Sequence, residues 1–299
     1  MNPEWPEGFR SGFACFVGRP NVGKSTLTNA IVGQKVAITS SRPQTTRHAI
    51  RGIVHREDGQ LVLVDTPGLH KPRTLLGERL NDVVRTTWAE VDVIGFCVPA
   101  DQAIGPGDKF IVAELRKVAD RTPVIGILTK TDLVSRDVVA ERLMALSEIA
   151  EFAEIVPVSA TKGDQVSLLA DLLLAQMPPG PPLYPEGELS DEPETTMIAE
   201  FVREAALEGV RDELPHSLAV VVEEMEEGKT LKIRAEIFVE RSSQKAIVIG
   251  RGGSRLKDVG TQAREQIEKM LGTKVHLELF VKVAKDWQRD PRQLRKLGF

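Results

Sequence analysis

The chain has 299 residues, 41% apolar and 27% charged, with a net charge of −4. Those values fit two ordinary globular domains and exclude wholesale disorder or a fibrous repeat. No apolar run approaches the roughly 18 residues of a membrane span, and Met1-Asn2-Pro3-Glu4-Trp5-Pro6 lacks a basic region followed by an apolar one, so a cytoplasmic location is expected. The two cysteines, Cys15 and Cys97, lie inside apolar runs and are expected to pack as small core residues without a bridge. Charge is unevenly spread: residues 186–227 hold 14 acidic against 2 basic side chains, and residues 241–299 hold 14 basic against 6 acidic. A basic C-terminal fifth on an acidic chain suggests a face for a polyanion, although a solvated helix face would carry the same charge.

Apolar runs at residues 13–17, 61–64, 91–98, 123–128 and 155–158 alternate with helix-like segments. Four of them are nearly unbroken, as strands covered on both faces should be, which predicts a doubly wound, mostly parallel α/β domain over residues 1–178. The first strand runs straight into Gly18-Arg-Pro-Asn21-Val22-Gly23-Lys24-Ser25-Thr26, at the head of a helix-compatible stretch. This is a P-loop in residues and in context. Gly18 and Gly23 let the backbone turn N–H groups toward phosphates, the helix N-terminus adds its dipole, Lys24 reaches the β and γ phosphates, and the Ser25 hydroxyl ligates Mg²⁺. Asn21, Val22 and Thr26 complete the expected nucleotide contacts of this loop. Asp65-Thr66-Pro67-Gly68 ends the strand at 61–64, where a carboxylate can hold a Mg²⁺-bound water and the Gly68 N–H can meet the γ phosphate.

Base choice rests on Thr129-Lys130-Thr131-Asp132, which follows the strand at 123–128 on the edge where α/β sheets bind ligands. The Asp132 carboxylate can accept from N1–H and N2–H₂ of guanine, donors that adenine lacks there, so guanine is the expected base. Ser159 and Ala160, after the next strand, are the candidates for a backbone donor to guanine O6. A metabolic P-loop ATPase or small-molecule kinase is the alternative, and Asp132 argues against it.

The texture then changes. Met177-Pro-Pro-Gly-Pro-Pro-Leu-Tyr-Pro-Glu-Gly cannot continue a helix or a sheet ladder and an acidic stretch follows, so residues 179–195 read as a linker. Residues 196–299 read as α-β-β-α-α-β: a helix over 196–214, strands over 217–224 and 229–239, an apolar segment at 245–250, a helix over 255–271 and a strand over 274–283. Within them, Gly250-Arg251-Gly252-Gly253 lets a backbone approach nucleotides closely, with Lys245, Ile249, Arg255 and Lys257 alongside as candidate RNA contacts. The tail from Trp287 to Lys296 either extends that surface or docks on its own domain through Trp287 and Leu294.

Together the nucleotide motifs resemble those of the translation-factor-like GTPases. Combined with Pro-Gln-Thr-Thr-Arg-His, Asp-Thr-Pro-Gly-Leu-His and Ile-Val-Ile-Gly-Arg-Gly-Gly, the chain is similar over nearly its full length to the Era family, a G domain followed by a small α+β type II KH domain. The resemblance implies hydrolysis of GTP to GDP, Mg²⁺ as cofactor, binding near the 3′ end of small-subunit rRNA, and help in maturing the small ribosomal subunit. Some family members associate peripherally with membranes, at the inner face of the cell membrane. A membrane-associated signalling GTPase is therefore a further alternative, and a monomer is expected. By the same resemblance Thr46, in Arg42-Pro-Gln-Thr45-Thr46-Arg47, closes over Mg²⁺ and the γ phosphate. Lys24, Thr46 and Gly68 are then the catalytic set, and Ser25, Thr46 and Asp65 the metal set. Thr129 stands where Asn is commoner and, making fewer bonds, is expected to lower affinity while Asp132 keeps the base preference. Leu69 stands where a water-orienting glutamine is usual, and the resemblance to GTPases with a hydrophobic residue there implies hydrolysis that draws on backbone, Mg²⁺ and a K⁺ ion on Asn21; His70 is read as a bystander.

Overall fold

The computed structural model describes residues 5–39, 46–47, 49–69, 72, 74–119, 121–208 and 214–299; Arg42, Pro43, Gln44, Thr45, His48 and His70 of the motifs above lie outside them. The chain divides into two units, one of Met1–Ala37, Thr46–Lys71 and Leu80–Asp191, the other of Ile38–Thr45, Pro72–Arg79 and Glu192–Phe299.

The first unit is built from β1 (Arg10–Val17), α1 (Lys24–Val32), β2 (Ile50–His55), β3 (Gly59–Asp65), α2 (Leu75–Glu90), β4 (Val93–Pro99), α3 (Pro106–Val118), β5 (Val124–Thr129), α4 (Arg136–Ser147), β6 (Glu154–Pro157) and α5 (Val166–Ala175), α2 beginning in the stretch assigned to the second unit. The sheet order is β2-β3-β1-β4-β5-β6. Every residue of β3 and β4 is buried, because helices cover both sheet faces. One face packs Phe16, Leu27, Leu63 and Leu169. The other packs Val17, Trp88, Phe96 and Ile111. Cys15 and Cys97 are free and buried, and burial pushes the Cys97 thiol up to about 12, so both behave as small apolar residues. Strand order reverses beside β1, which opens a crevice at the carboxyl ends of the strands, where the P-loop begins.

β2 is absent from the predicted strands. It pairs antiparallel with β3, Ile50 opposite Asp65 and His55 opposite Gln60. Arg51 and Gly52 interrupt its apolar run, but Asp58-Gly59 between two apolar stretches is a hairpin signal that would have exposed it. The Pro-rich stretch read as linker follows this edge strand. Ile53 N donates to Leu189 O at 2.9 Å, Gln60 Oε1 accepts from Leu183 N and Tyr184 N at 2.7 and 2.9 Å, and Arg51 meets Asp191 at 2.9 Å. A strand edge that would otherwise be open is thereby covered.

The second unit contains α6 (Glu194–Leu207), α7 (Leu214–Ser217), β7 (Ala219–Glu226), β8 (Leu231–Val239), α8 (Ser242–Ile249), α9 (Ser254–Leu271), β9 (Val275–Val283) and α10 (Pro291–Lys296). β8 pairs antiparallel with β7 and parallel with β9. Val259, Ala263 and Ile267 recur every four residues along α9 and are buried with Phe201, Ile233 and Ile237. Ile38 joins this core, and next to it the Thr39 N–H donates to Glu204 Oε1 at 2.8 Å. The tail docks on its own unit: Trp287 and Leu294 are fully buried, Trp287 Nε1 donates to Ser217 O at 3.0 Å, and the Trp287 and Phe299 rings stack at 5.6 Å. Those apolar side chains anchor the tail and are not displayed for RNA. Among the described residues no helix is long and apolar enough to cross a membrane.

Candidate nucleotide site and nucleic-acid interface

A methyl group on Gly18 would lie 2.5 Å from the Cys97 carbonyl oxygen, so the loop leaves β1 at a point where only glycine fits. Gly23, at φ +100°, leads into α1 with no side-chain cap, which leaves first-turn N–H groups for an anion. Lys24 is buried, and its Nζ donates to the carbonyls of Gly18 at 3.1 Å and Arg19 at 3.0 Å. Burial lowers its pKa, against an opposing pull from Asp65. Arg19 Nε reaches the buried Asp108 at 2.8 Å, and Asp108 also accepts from Gly105 N at 2.9 Å. Asn29 Oδ1 accepts from Val36 N and Ala37 N, both at 2.9 Å, fixing the chain that follows α1. Sequence reasoning missed Asp108, which only the fold brings to Arg19; it also passed over Arg19, inside the phosphate loop itself, and Asn29, seven and eight residues from the amides it holds.

Ser25, Thr46 and Asp65 converge. Ser25 Oγ donates to Asp65 Oδ2 at 2.8 Å and Thr46 Oγ1 donates to the same oxygen at 3.0 Å. The two hydroxyl oxygens are 3.1 Å apart. Among the described residues Asp65 Oδ1 is buried without a hydrogen-bond partner, and burial raises the Asp65 pKa against the pull of Ser25, Lys24 and Thr46. Two hydroxyl oxygens meeting at Asp65 Oδ2, with Oδ1 of the same buried carboxylate left unsatisfied, form a set of hard oxygen donors that fits Mg²⁺ by its chemistry. A Cβ at Gly68 would be 3.6 Å from Lys24 Nζ, which puts the Gly68 backbone beside the P-loop. Leu69 turns away into the cluster with Val84 and Trp88.

The base pocket is lined by Gly23, Thr26, Lys130, Asp132 and Ala160, with Thr129 at its wall. Ser159 Oγ donates to Asp132 Oδ1 at 2.6 Å and Thr161 Oγ1 donates to Oδ2 at 3.3 Å, so both carboxylate oxygens are held. Thr161 was not among the sequence candidates; a hydroxyl two residues beyond Ser159 was the available signal. Thr129 Oγ1 donates to the Val22 carbonyl at 2.6 Å. The shorter side chain therefore still ties the base loop to the phosphate loop, and Val22 contributes through its carbonyl.

The Ser159 hydrogen bond is the main cause holding the Asp132 carboxyl below the usual carboxylate range. A carboxyl with a depressed folded pKa keeps its charge as pH falls through the ordinary range near roughly 4 and loses it only below. Guanine-nucleotide affinity is expected to persist through that range and to fall at higher pH in Ser159→Ala. Dissociation constants measured against pH for both proteins check this.

In the second unit a Cβ on Gly250, at φ +74°, would sit 2.7 Å from Arg255 Cβ, whereas the space around Gly252 and Gly253 is open. Arg251, Gly252 and Lys257 are exposed and Lys245 is half-buried. Two expected RNA contacts are used otherwise. Arg255 Nη2 donates to Ala206 O at 3.2 Å and Glu208 O at 2.5 Å, satisfying carbonyls at the end of α6. Ile249 is partly buried against the core. Between α9 and β9 lies a groove lined by apolar Leu256 and Leu279 and basic Lys257, Arg264 and His276. Its β9 half was not legible from sequence, because parallel pairing of β8 and β9 is what places that strand beside α9.

A family model described as a 50S ribosome-binding GTPase matches residues 13–130, and a KH domain model matches residues 213–288. The chain is 67% identical to GTPase Era of Mycolicibacterium smegmatis over 296 residues, 97% of this chain and 99% of that protein. It is 67% identical to GTPase Era of Streptomyces coelicolor over 302 residues, 97% of this chain and 95% of that protein. An Aquifex aeolicus Era variant bound to GDP·AlF₄⁻ superposes with a TM-score of 0.92 at 37% identity, over 97% and 99% of the two chains. Era in complex with MgGDPNP and nucleotides 1506–1542 of 16S ribosomal RNA gives 0.91 at 36% identity with the same coverage. With the phosphate loop, the base loop and the glycine loop each on the expected element, the chain belongs to the Era family of GTPases.

Proposed function

We propose that this protein is a GTP-hydrolysing switch that binds the 3′ region of small-subunit rRNA through its KH domain and assists small-subunit assembly. The observation that carries the nucleotide half is the meeting of the Ser25 and Thr46 hydroxyls on Asp65 Oδ2, with Oδ1 buried and unpartnered and the Lys24 charge acting on the same carboxylate. When bound, Mg²⁺ supplies positive charge against the β and γ phosphate oxygens, and Ser25, Thr46 and Asp65 would hold it. Lys24 would exchange the Gly18 and Arg19 carbonyls for phosphate oxygens. The Gly68 N–H would meet the γ phosphate, Asp132 would accept from the guanine edge, and Ala160 N would donate to O6.

Leu69 faces the core, so no side chain at that position orients water. We assign the help that hydrolysis then needs to K⁺, which Asn21 of the phosphate loop would hold and which would add positive charge beside the phosphates. Turnover is expected to be faster in KCl than in NaCl at matched ionic strength; equal rates would remove K⁺ from the account.

For the RNA half, exposed Arg251 and Gly252 form the tip of the glycine loop, and the groove between α9 and β9 pairs an apolar lining for bases with a basic rim for phosphates. The combined substitution Arg251→Asp and Gly252→Asp is expected to weaken binding of a 3′-end rRNA fragment by about 30-fold or more at fixed salt. Aspartate tolerates the left-handed backbone of position 252 better than most residues. GTP hydrolysis and melting temperature should hold. Parent-like RNA affinity in the folded double variant would contradict the assignment.

A further inference from the structure

Resting on the guanine-nucleotide reading above, we infer that this protein recognises guanine without a hydrogen bond to N7, because Thr129 commits its single hydroxyl proton to the phosphate loop. Thr129 is the last residue of β5 and is buried. Its Oγ1 lies 2.6 Å from the Val22 carbonyl and 3.3 Å from the Val98 carbonyl. Both partners only accept, so the hydroxyl must donate, and it has one proton. The shorter contact takes it. The neutral base offers N7 as an acceptor only, so a partner there must bring a donor. An asparagine at position 129 has two N–H donors and could serve the loop carbonyl and N7 together; threonine cannot. The Thr161 hydroxyl, which also lines the pocket, is directed at Asp132.

Two roles separate as a result. Guanine is discriminated on the edge facing Asp132 and Ala160, and N7 receives nothing from the residue at the end of β5. Thr129 is a positioning residue: it fixes the carbonyl just before Gly23 and Lys24 against the end of β5, so that the base loop and the phosphate loop keep their register. Removing its hydroxyl loosens the phosphate grip without altering how the base is read.

The test uses the full chain and two probes, GDP and 7-deaza-GDP, in which N7 is replaced by C–H. The parent is expected to bind them with dissociation constants within about twofold. In Thr129→Asn the ratio should open to about threefold to tenfold in favour of GDP, the range of one neutral hydrogen bond. Thr129→Val should weaken both probes together by a similar factor with the ratio unchanged, and Thr129→Ser should restore the parent values. A parent that binds 7-deaza-GDP five times more weakly than GDP, or more, overturns the inference, whether or not any variant folds. If the parent instead prefers ADP to both probes, it is the guanine reading that has failed. Good GDP binding with poor 7-deaza-GDP binding sinks the N7 claim alone.

Discussion

Asp132→Asn is expected to weaken GTP binding by about two to four orders of magnitude and to improve binding of XTP. In the proposed reading Asp132 would accept two hydrogen bonds from the guanine edge, each charge-assisted and worth roughly 1.5–3 kcal/mol. Asparagine keeps one acceptor and presents an N–H₂ where guanine also presents one, so donor meets donor. Xanthine carries a carbonyl at that position and pairs with the new amide. Ser159 and Thr161 donate to the two carboxylate oxygens at 2.6 and 3.3 Å, and a hydroxyl that meets the new amide nitrogen can turn from donor to acceptor, so the side chain keeps partners in the variant. Unchanged GTP affinity in competition binding would show that this carboxylate does not read the base.

Lys24→Ala should lower GTP turnover by about 10²–10³-fold, the usual consequence of removing one preorganised group that meets developing charge. The fold should tolerate the change. Lys24 is held by two loop carbonyls and takes no part in the apolar clusters. Its removal also relieves the cost of a buried ammonium, which the lowered pKa records. A thermal melt within a few degrees of the parent, with turnover collapsed, separates a catalytic loss from unfolding. Parent-level hydrolysis by the folded variant would remove Lys24 from the mechanism.

What was legible in the sequence was what depends on short stretches. Gly18 to Thr26 is legible because the residues that make the turn also make the chemistry, and the strand before it is an unbroken apolar run. The α-β-β-α-α-β order of the second unit is legible for the same reason, since each element carries its own period. Pairings between distant segments were not. Arg255 looks like a phosphate contact because it is basic and follows a glycine loop, yet the end of α6, nearly fifty residues earlier, supplies carbonyls that take it. β2 was hidden because its burial depends on β3 and on residues 189–190 lying along its edge. Thr129 reads from sequence as a weakened asparagine, because the Val22 carbonyl that its hydroxyl reaches lies more than a hundred residues away in the chain.

The central claim is that this site hydrolyses GTP through a loop system built for guanine. Phosphate release from GTP and from ATP, measured on the same preparation with Mg²⁺ and K⁺ present, tests it most directly. Turnover of GTP with ATP slower by about 100-fold or more is the predicted result, since adenine lacks the N1–H and N2–H₂ donors that guanine would offer the Asp132 carboxylate. Equal turnover of the two, or a preference for ATP, would contradict the account.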